Sequence, residues 1–537
     1  MRWNRRNLLG ALGAASVVPY FGCHPCKGSE SKRGVLIGEP TGERIAHRIF
    51  EEGGNAADAM IAGALAAAIA APHQTGIGGY GATGIFAWNG GQDIVALDAN
   101  SMAPQAMTSD LFASSKDGKP KHDINFGWKS AGVPGILAGL ERIHQRFATK
   151  SLQELLQPAI EICEQGYRWP ANVAKIIRDG AARFGSDPGS LQLYFREGEP
   201  LRAGELFTNR GLAEILKSFA KSNSMRAFYE GDVAKTIVAS FQQNDGLVTL
   251  EDMKAYRAEW RSPYALSLGP YRLYTVPLTA GGLTVFQCLK LLQSLGWHQM
   301  EAGVEKAMVQ VESMRWVWKD RLTLLGDPEH AKVPVERLLS DAYAQESAAA
   351  IRASLKDRKP IPHAVDANGQ TGTIHLSAVD RDGNFAALTL THGGSFGARV
   401  TVPDIGLTLG HGMSRFDPRP THPNCPGPRK RPLHNMVPTC IYQEGVPVAV
   451  VGGRGGRKIP NAVLEFLMRY SLENASLEEA MKAPRMHTEG TLHIEQESTG
   501  DSKLLENLQQ IGYQTKQAAS ATLSAVEKRK DIKAAMR

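Results

Sequence analysis

Cysteine is scarce. Six of 537 residues are Cys, at positions 23, 26, 163, 288, 425 and 440. That is too few and too scattered for a disulfide-scaffolded fold. Cys425 and Cys440 could pair, and spacing alone does not decide it. Cys23-His-Pro-Cys26 has no partner pair, so it makes a poor metal or redox motif. The histidines show no H-E-x-x-H spacing, and neither a metal nor a cofactor is expected. Long basic tracts are also missing. Lys356–Lys359 and Arg429–Arg431 are short, lack interleaved aromatics, and sit in a chain of net charge only +7. Nucleic acid is therefore excluded as a partner. No apolar run reaches the ~20 residues that span a bilayer. Leu8–Val18 is too short, and the run from Ile61 to Ile69 ends before Pro72.

What the chain has is glycine, 55 residues of it, dispersed among apolar periodic segments. Such glycines serve tight turns and close backbone approaches. The length exceeds one ordinary core, so two large domains or one intertwined α/β unit are expected. The first 30 residues read as an export signal. Asn4-Arg5-Arg6-Asn7-Leu8-Leu9-Gly10 resembles a twin-arginine motif, followed by a short apolar stretch. This predicts a periplasmic or other extracytoplasmic location. Tyr20-Phe21-Gly22-Cys23 loosely resembles a lipoprotein box, which makes Cys23 a candidate lipid anchor.

Downstream, Pro40–Phe50 and Glu51–Ile69 read as helix, glycine stop, helix. The second is almost wholly apolar, as suits a helix buried against a sheet. Pro72–Gly81 is glycine-rich but follows a helix, where a nucleotide-binding loop should follow a strand. Ala82–Trp88 and Asp93–Leu97 read as a hairpin around Asn89-Gly90-Gly91. Helices are expected over 152–166, 212–220, 233–241, 285–297 and 303–321, with 170–245 as an outer helical layer. Residues 345–370, charged and containing Pro, Asp and Gly, read as an exposed linker.

The most informative stretch is Gly372-Thr373-Ile374-His375-Leu376-Ser377-Ala378-Val379-Asp380, then Arg381-Asp382-Gly383-Asn384, then Phe385–Thr391. Its alternation and Asp-Gly turn describe a hairpin. A three-residue loop Arg381–Gly383, with Gly383 in the left-handed position, pairs Asp380 with Asn384. Counting back sets Thr373 opposite Thr391. One residue more or less in the loop would flip that register.

This stretch, with His392-Gly393-Gly394-Ser395-Phe396-Gly397 after it, resembles the start of the small subunit in the gamma-glutamyltranspeptidase (glutathione hydrolase) family of N-terminal nucleophile hydrolases. The resemblance runs from about residue 36 to about residue 515. It implies an α+β fold, a four-layer αββα sandwich. It also implies self-cleavage between Gly372 and Thr373, giving a large subunit, 31–372, and a small one, 373–537, associated as a heterodimer. The freed Thr373 would be the nucleophile, with its own α-amino group, of reference pKa about 8, as base. Thr391 matches the threonine that supports the nucleophile. Gly455 and Gly456, in Gly452-Gly-Arg454-Gly455-Gly456-Arg457, match the oxyanion-hole loop. His375 lies two residues from Thr373 and is not assigned as the base.

The family's substrate positions are altered. Asn100 stands where an arginine clamps the glutamyl α-carboxylate. Ser414 and Arg415 follow Met413 where an aspartate holds the α-amino group. His434 and Asn435 replace paired serines, and Gly393 replaces an asparagine. His434 is either a substrate contact or a hydrogen-bonded structural histidine. Arg415 and Arg454, read as a pair, favour an acidic small-molecule amide or peptide substrate. Three functions follow: a gamma-glutamyltransferase-like hydrolase and acyltransferase, a same-fold acylase for a non-glutamyl and acidic amide, or a non-catalytic exported homologue.

Overall fold

A computed structural model describes residues 33–115, 119–362 and 372–537. The export and lipid-anchor motifs lie outside these residues.

Twelve strands build two six-stranded sheets. In chain order they are β1 (Gly34–Ile37), β2 (Gly81–Trp88), β3 (Asp93–Ala99), β4 (Glu259–Arg261), β5 (Tyr264–Leu268), β6 (Tyr271–Thr275), β7 (Thr373–Asp380), β8 (Phe385–Thr391), β9 (Thr439–Gln443), β10 (Val446–Arg454), β11 (Thr522–Lys528) and β12 (Ile532–Met536). The first sheet runs β1-β7-β8-β2-β3-β4 and the second β12-β11-β10-β9-β6-β5. Apolar faces make three layers of core. Ile37, Ile85, Val379, Phe385, Tyr442, Val450 and Val526 pack between the sheets. The outer face of the first sheet packs on helices that include Pro40–Glu51, Ala56–Ala70 and Leu152–Gln165. The outer face of the second packs on helices that include Gly282–Ser294, Val304–Leu324 and Ile459–Leu467. The result is the αββα sandwich that the hairpin's resemblance implied.

The expected register is the observed one. Thr373 pairs with Thr391, and Thr391 in turn with Gly81. The turn is set by Asp380, whose Oδ1 accepts from the backbone N–H of Asp382 and Asn384 at 3.0 Å each, and by Gly383 at φ 81. Asp380 reaches further. Its Oδ2 accepts from the N–H of Ala56, 3.1 Å away, at the buried N-terminus of a helix otherwise capped by Asn55. The turn carboxylate therefore ties the β7–β8 hairpin to the most deeply buried helix of the first layer.

The first half of the expected linker 345–370 is a helix, and 363–370 lie outside the described residues. Asp341–Asp357 is helical, starts at the Ser340 cap, and buries Tyr343, Ala344, Ser347, Ala348, Ile351 and Ser354. Those positions recur at three- and four-residue spacing, an amphipathic signal masked by the charged Lys356–Lys359 at its end. The helices expected over 152–166, 212–220, 233–241, 285–297 and 303–321 all lie within three residues of their predicted ends. Among the described residues no helix is long and apolar enough to cross a membrane. Cys425 and Cys440 are both free thiols, so they do not pair.

Candidate active site

The Thr373–Thr391 pair brings two hydroxyls together at the end of the hairpin, with Oγ1 atoms 2.9 Å apart. Thr391 Oγ1 donates its only proton to the carbonyl oxygen of Gly372, at 2.5 Å. It must then accept from its other neighbours. One is the backbone N–H of Gly393 at 2.8 Å. The other is the Thr373 hydroxyl, which so directs its proton to Thr391 and leaves its lone pairs free. The N–H of Gly393 also reaches the Gly372 carbonyl oxygen, at 3.2 Å. The carbonyl that precedes Thr373 thus meets two donors, a hydroxyl and a backbone amide.

His375 shares Thr373's face of β7 but turns to different partners. Ser377 Oγ donates to the Ser524 carbonyl at 3.0 Å, so it accepts from His375 Nε2–H at 3.0 Å. His375 Nδ1 is left to accept from Thr389 Oγ1 at 2.7 Å. Burial pushes its pKa down to about 3. A neutral imidazole with both nitrogens committed is a structural brace between the sheets.

The second wall of the site is the turn after β10. Gly452 of β10 lies against the His375 ring: a Cβ there would come within 2.3 Å of it. Gly455 (φ 138) and Gly456 (φ 63) then turn the chain into a region closed to L side chains. Arg454 Nη1 donates to Gln74 Oε1 at 2.8 Å, and the Gln74 carbonyl accepts from His392 N–H at 3.1 Å. Two hydrogen bonds through Gln74 therefore join Arg454, next to Gly455, to His392, next to Thr391.

The substrate-position residues separate into braces and pocket groups. Asn100 is fully buried. Its amide donors go to Thr279 Oγ1 and the Pro432 carbonyl, at 2.8 and 2.7 Å. It has no donor left for a carboxylate. Arg454 and Arg415 face different charged neighbours. Arg454 lies in the field of Glu39. Arg415 meets the Tyr80 hydroxyl, and its nearby cation is Arg457. Ser414 and Arg415 sit on the short turn Gly412–Arg415, tied back by Ser414 N–H to the His411 carbonyl at 3.1 Å. His434 is buried and held neutral, its pKa driven down to about 3 by burial, with Arg321 and Arg415 adding to the effect. Asn435 Oδ1 accepts from Arg321 Nη2 at 3.1 Å.

Four residues here escaped the sequence reading: Tyr80, Arg321, His411 and Arg457. His411 explains Gly393. A Cβ on Gly393, at φ 95, would lie 2.3 Å from the His411 ring and 3.1 Å from Tyr80. The imidazole fills the room a side chain would need. His411 Nδ1 donates to the Asn125 carbonyl at 2.7 Å, which leaves Nε2 an acceptor. Burial lowers its pKa to about 3. Arg457 directly follows Gly456, so its place beside the loop was legible; its partner Glu489 and its stacking 5.3 Å over Trp318 were not. Among the described residues, no three His, Cys, Asp or Glu side chains converge as metal ligands.

Known proteins share this architecture and sequence. The glutathione hydrolase proenzyme of Escherichia coli (strain K12) is 30% identical over 509 residues, covering 90% of this chain and 86% of that protein. The acylase ACY 1 proenzyme of Pseudomonas sp. (strain V22) is 30% identical over 482 residues, covering 88% and 85%. The crystal structure of cephalosporin acylase from Bacillus halodurans superposes with TM-score 0.83 at 24% identity, covering 94% of each chain, a likeness of fold. Residues 42–536 match the gamma-glutamyltranspeptidase model, nearly everything beyond the N-terminal segment. The chain belongs to the gamma-glutamyltranspeptidase family of N-terminal nucleophile hydrolases.

Proposed function

We propose that this protein cuts itself between Gly372 and Thr373 and then acts as an N-terminal threonine amidohydrolase and acyltransferase. The observation that carries the proposal is the Gly372 carbonyl, polarised by Thr391 Oγ1 and Gly393 N–H beside the Thr373 hydroxyl. In the self-cleavage, Thr373 Oγ attacks the Gly372 carbonyl carbon. Charge develops on the oxygen that those two donors hold. The C–N bond breaks, the nitrogen takes the proton lost from Oγ, and the resulting ester is hydrolysed by water. Gly372 becomes a carboxylate and Thr373 gains a free amine.

That amine then serves as base. It takes the Oγ proton as Oγ attacks the substrate amide. The tetrahedral oxyanion is held by the N–H groups of Gly455 and Gly456. Collapse breaks the substrate C–N bond, and the ammonium returns its proton to the leaving amine. Water, or an acceptor amine, then attacks the acyl ester and regenerates Thr373. The fragments 31–372 and 373–537 would stay together as a heterodimer, because β7 and β8 sit between β1 and β2 in one sheet.

The reading for substrate is a small amide or peptide whose acyl group is not the ordinary glutamyl one. Relatives named glutathione hydrolase and acylase match at the same 30% identity, so overall similarity does not choose between them. Arg415 beside Ser414, where an anion would be needed to hold an ammonium, favours the altered acyl group. The intact Thr373, Thr391, Gly455 and Gly456 set argues against a non-catalytic homologue. We further propose that the protein is exported by its N-terminal segment.

Gel electrophoresis and N-terminal sequencing of the purified protein test the central claim. Two fragments are expected, the smaller starting at Thr373, and Thr373→Ala should remain one chain without amidase activity. A wild-type chain that stays intact would overturn it.

A further inference from the structure

The two glycines proposed as oxyanion donors cannot place themselves. Gly455 and Gly456 sit at φ 138 and 63, in backbone conformations that glycine enters and leaves easily. Neither has a side chain to hold it, so the direction of their N–H groups is set by the residues on either side. Those residues are tied down. Arg454 donates to Gln74 Oε1 at 2.8 Å on one side. On the other, Lys458 donates to the Ala519 carbonyl at 2.6 Å and pairs with Glu495. Between them Arg457, next to Gly456, pairs with Glu489.

The Arg457–Glu489 pair belongs to a closed ring of five side chains, and the donor directions around it follow from one another. Trp318 Nε1 can only donate, and it reaches Asn461 Oδ1 at 2.7 Å. That orients the Asn461 amide. Its Nδ2 donates to the Thr488 carbonyl at 2.8 Å and to His487 Nδ1 at 3.1 Å. With Nδ1 accepting, His487 carries its proton on Nε2 and donates it to Glu489 Oε1 at 3.0 Å. The other carboxylate oxygen faces Arg457 Nε. The Arg457 guanidinium lies 5.3 Å over the Trp318 ring, and there the circuit closes.

Trp318, Asn461 and His487 are buried, and the Arg457 and Glu489 side chains are each 16% exposed. An ion pair this far from water returns little net stability, because desolvation of the two charges offsets their attraction. What the ring supplies is position. A carboxylate with one oxygen fixed by His487 presents the other to Arg457 in one place. The ring also crosses between the two expected fragments. Trp318 lies on the helix Val304–Leu324 of the larger, and the other four side chains belong to the smaller.

We infer that Glu489 is a positioning residue: through Arg457 it aims the N–H groups of Gly455 and Gly456, and Trp318, Asn461 and His487 aim Glu489. This rests on the amidohydrolase reading for the role of those N–H groups, while the holding of the turn does not. An oxyanion donor works at about 2.7–3.1 Å from the developing charge, and a misplacement of about 1 Å costs about a hundredfold in rate. A contact made only in the transition state shows its loss in kcat, not in KM.

Glu489→Gln keeps an acceptor for His487 and removes the charge that Arg457 meets. Two measurements on the purified protein test the inference. Amide hydrogen exchange over residues 452–459 should run at least tenfold faster than in wild type, with β9 unchanged. With gamma-L-glutamyl and glutaryl p-nitroanilides, kcat should fall at least tenfold while KM stays within about twofold. Here kcat is taken per Thr373 terminus counted on gels, so an unfolded or uncut fraction does not enter. Arg457→Gln should produce the same two changes, so the outcome does not hang on the folding of one variant. The double variant should lose no more than Arg457→Gln alone, because both act through one contact. Unchanged exchange, a loss carried by KM, or additive losses would each overturn the inference. If wild type cleaves an anilide and Glu489→Gln cleaves it equally well, the inference fails and the hydrolase reading stands. If exchange quickens as expected and wild type cleaves no anilide, the hydrolase reading fails and the holding of the turn by Glu489 stands.

Discussion

Replacing Thr391 by Val keeps the shape of the side chain and deletes its hydroxyl. Three contacts go at once: the donor to the Gly372 carbonyl at 2.5 Å, the acceptor for Thr373 Oγ1 at 2.9 Å, and the acceptor for Gly393 N–H at 2.8 Å. Gly393 N–H still has the Gly372 carbonyl at 3.2 Å, so it is not orphaned. Loss of one buried hydrogen-bonding group of this kind costs about 1–3 kcal/mol of stability. The effect on self-cleavage should be larger, because the lost donor points at the oxygen where charge develops. Removal of one such donor slows a reaction ~10²–10³-fold, about 2.7–4 kcal/mol. A time course of fragment appearance on gels, from freshly purified precursor, measures it. Thr391→Val should mature at least a hundredfold more slowly than wild type, and Thr391→Ser, which keeps the hydroxyl, within about tenfold. A Val variant that cuts at the wild-type rate would refute the reasoning, as would a Ser variant as slow as Val.

Other outcomes follow from the same contacts. Gly393→Asn should lower stability by about 1–3 kcal/mol in chemical denaturation, since its Cβ collides with His411 at a positive φ; adding His411→Ala should recover part of that loss. Asp380→Ala removes the turn acceptor and the cap on Ala56, and should cost about 1–2 kcal/mol or more by the same measurement. Gly456→Ala, strained at φ 63 beside the proposed oxyanion donors, should reduce amidase kcat at least tenfold while leaving the gel pattern of self-cleavage, which uses Thr391 and Gly393, near wild type. His375, His392, His411 and His434 are held neutral by burial, with pKa values lowered from 6.5 to about 3. Their contribution is complete above pH 6.5 and is lost as pH falls below it, because only the unfolded chain then takes up protons. Each imidazole should account for about 2 kcal/mol of lost stability at pH 5; a denaturation midpoint unchanged between pH 7 and pH 5 would contradict this.

The hairpin was legible because its information is local. The Asp-Gly turn, a countable loop and two-residue alternation fix which residues oppose each other, and Thr373 opposite Thr391 followed from counting. The buried helix Ala56–Ala70 was legible because almost every residue is apolar. The helix Asp341–Asp357 was lost to its own charged end, although the spacing of Tyr343, Ser347 and Ile351 carried the signal. The pocket was largely illegible for a different reason. Arg321 and Arg415 are 94 positions apart in the chain, and Tyr80 is farther still from both. What brings them together is the stacking of two sheets and the path of two loops, which no local pattern encodes.

The two halves of the site therefore differ in how firmly the fold holds them. Thr373 is placed by a central strand, by pairing on both sides of its hairpin, and by a carboxylate that anchors the turn to a helix. Few of those constraints involve the pocket. Ser414 and Arg415 instead sit on a turn, where a side chain can change without disturbing a sheet. Acyl preference can drift while the cutting chemistry stays.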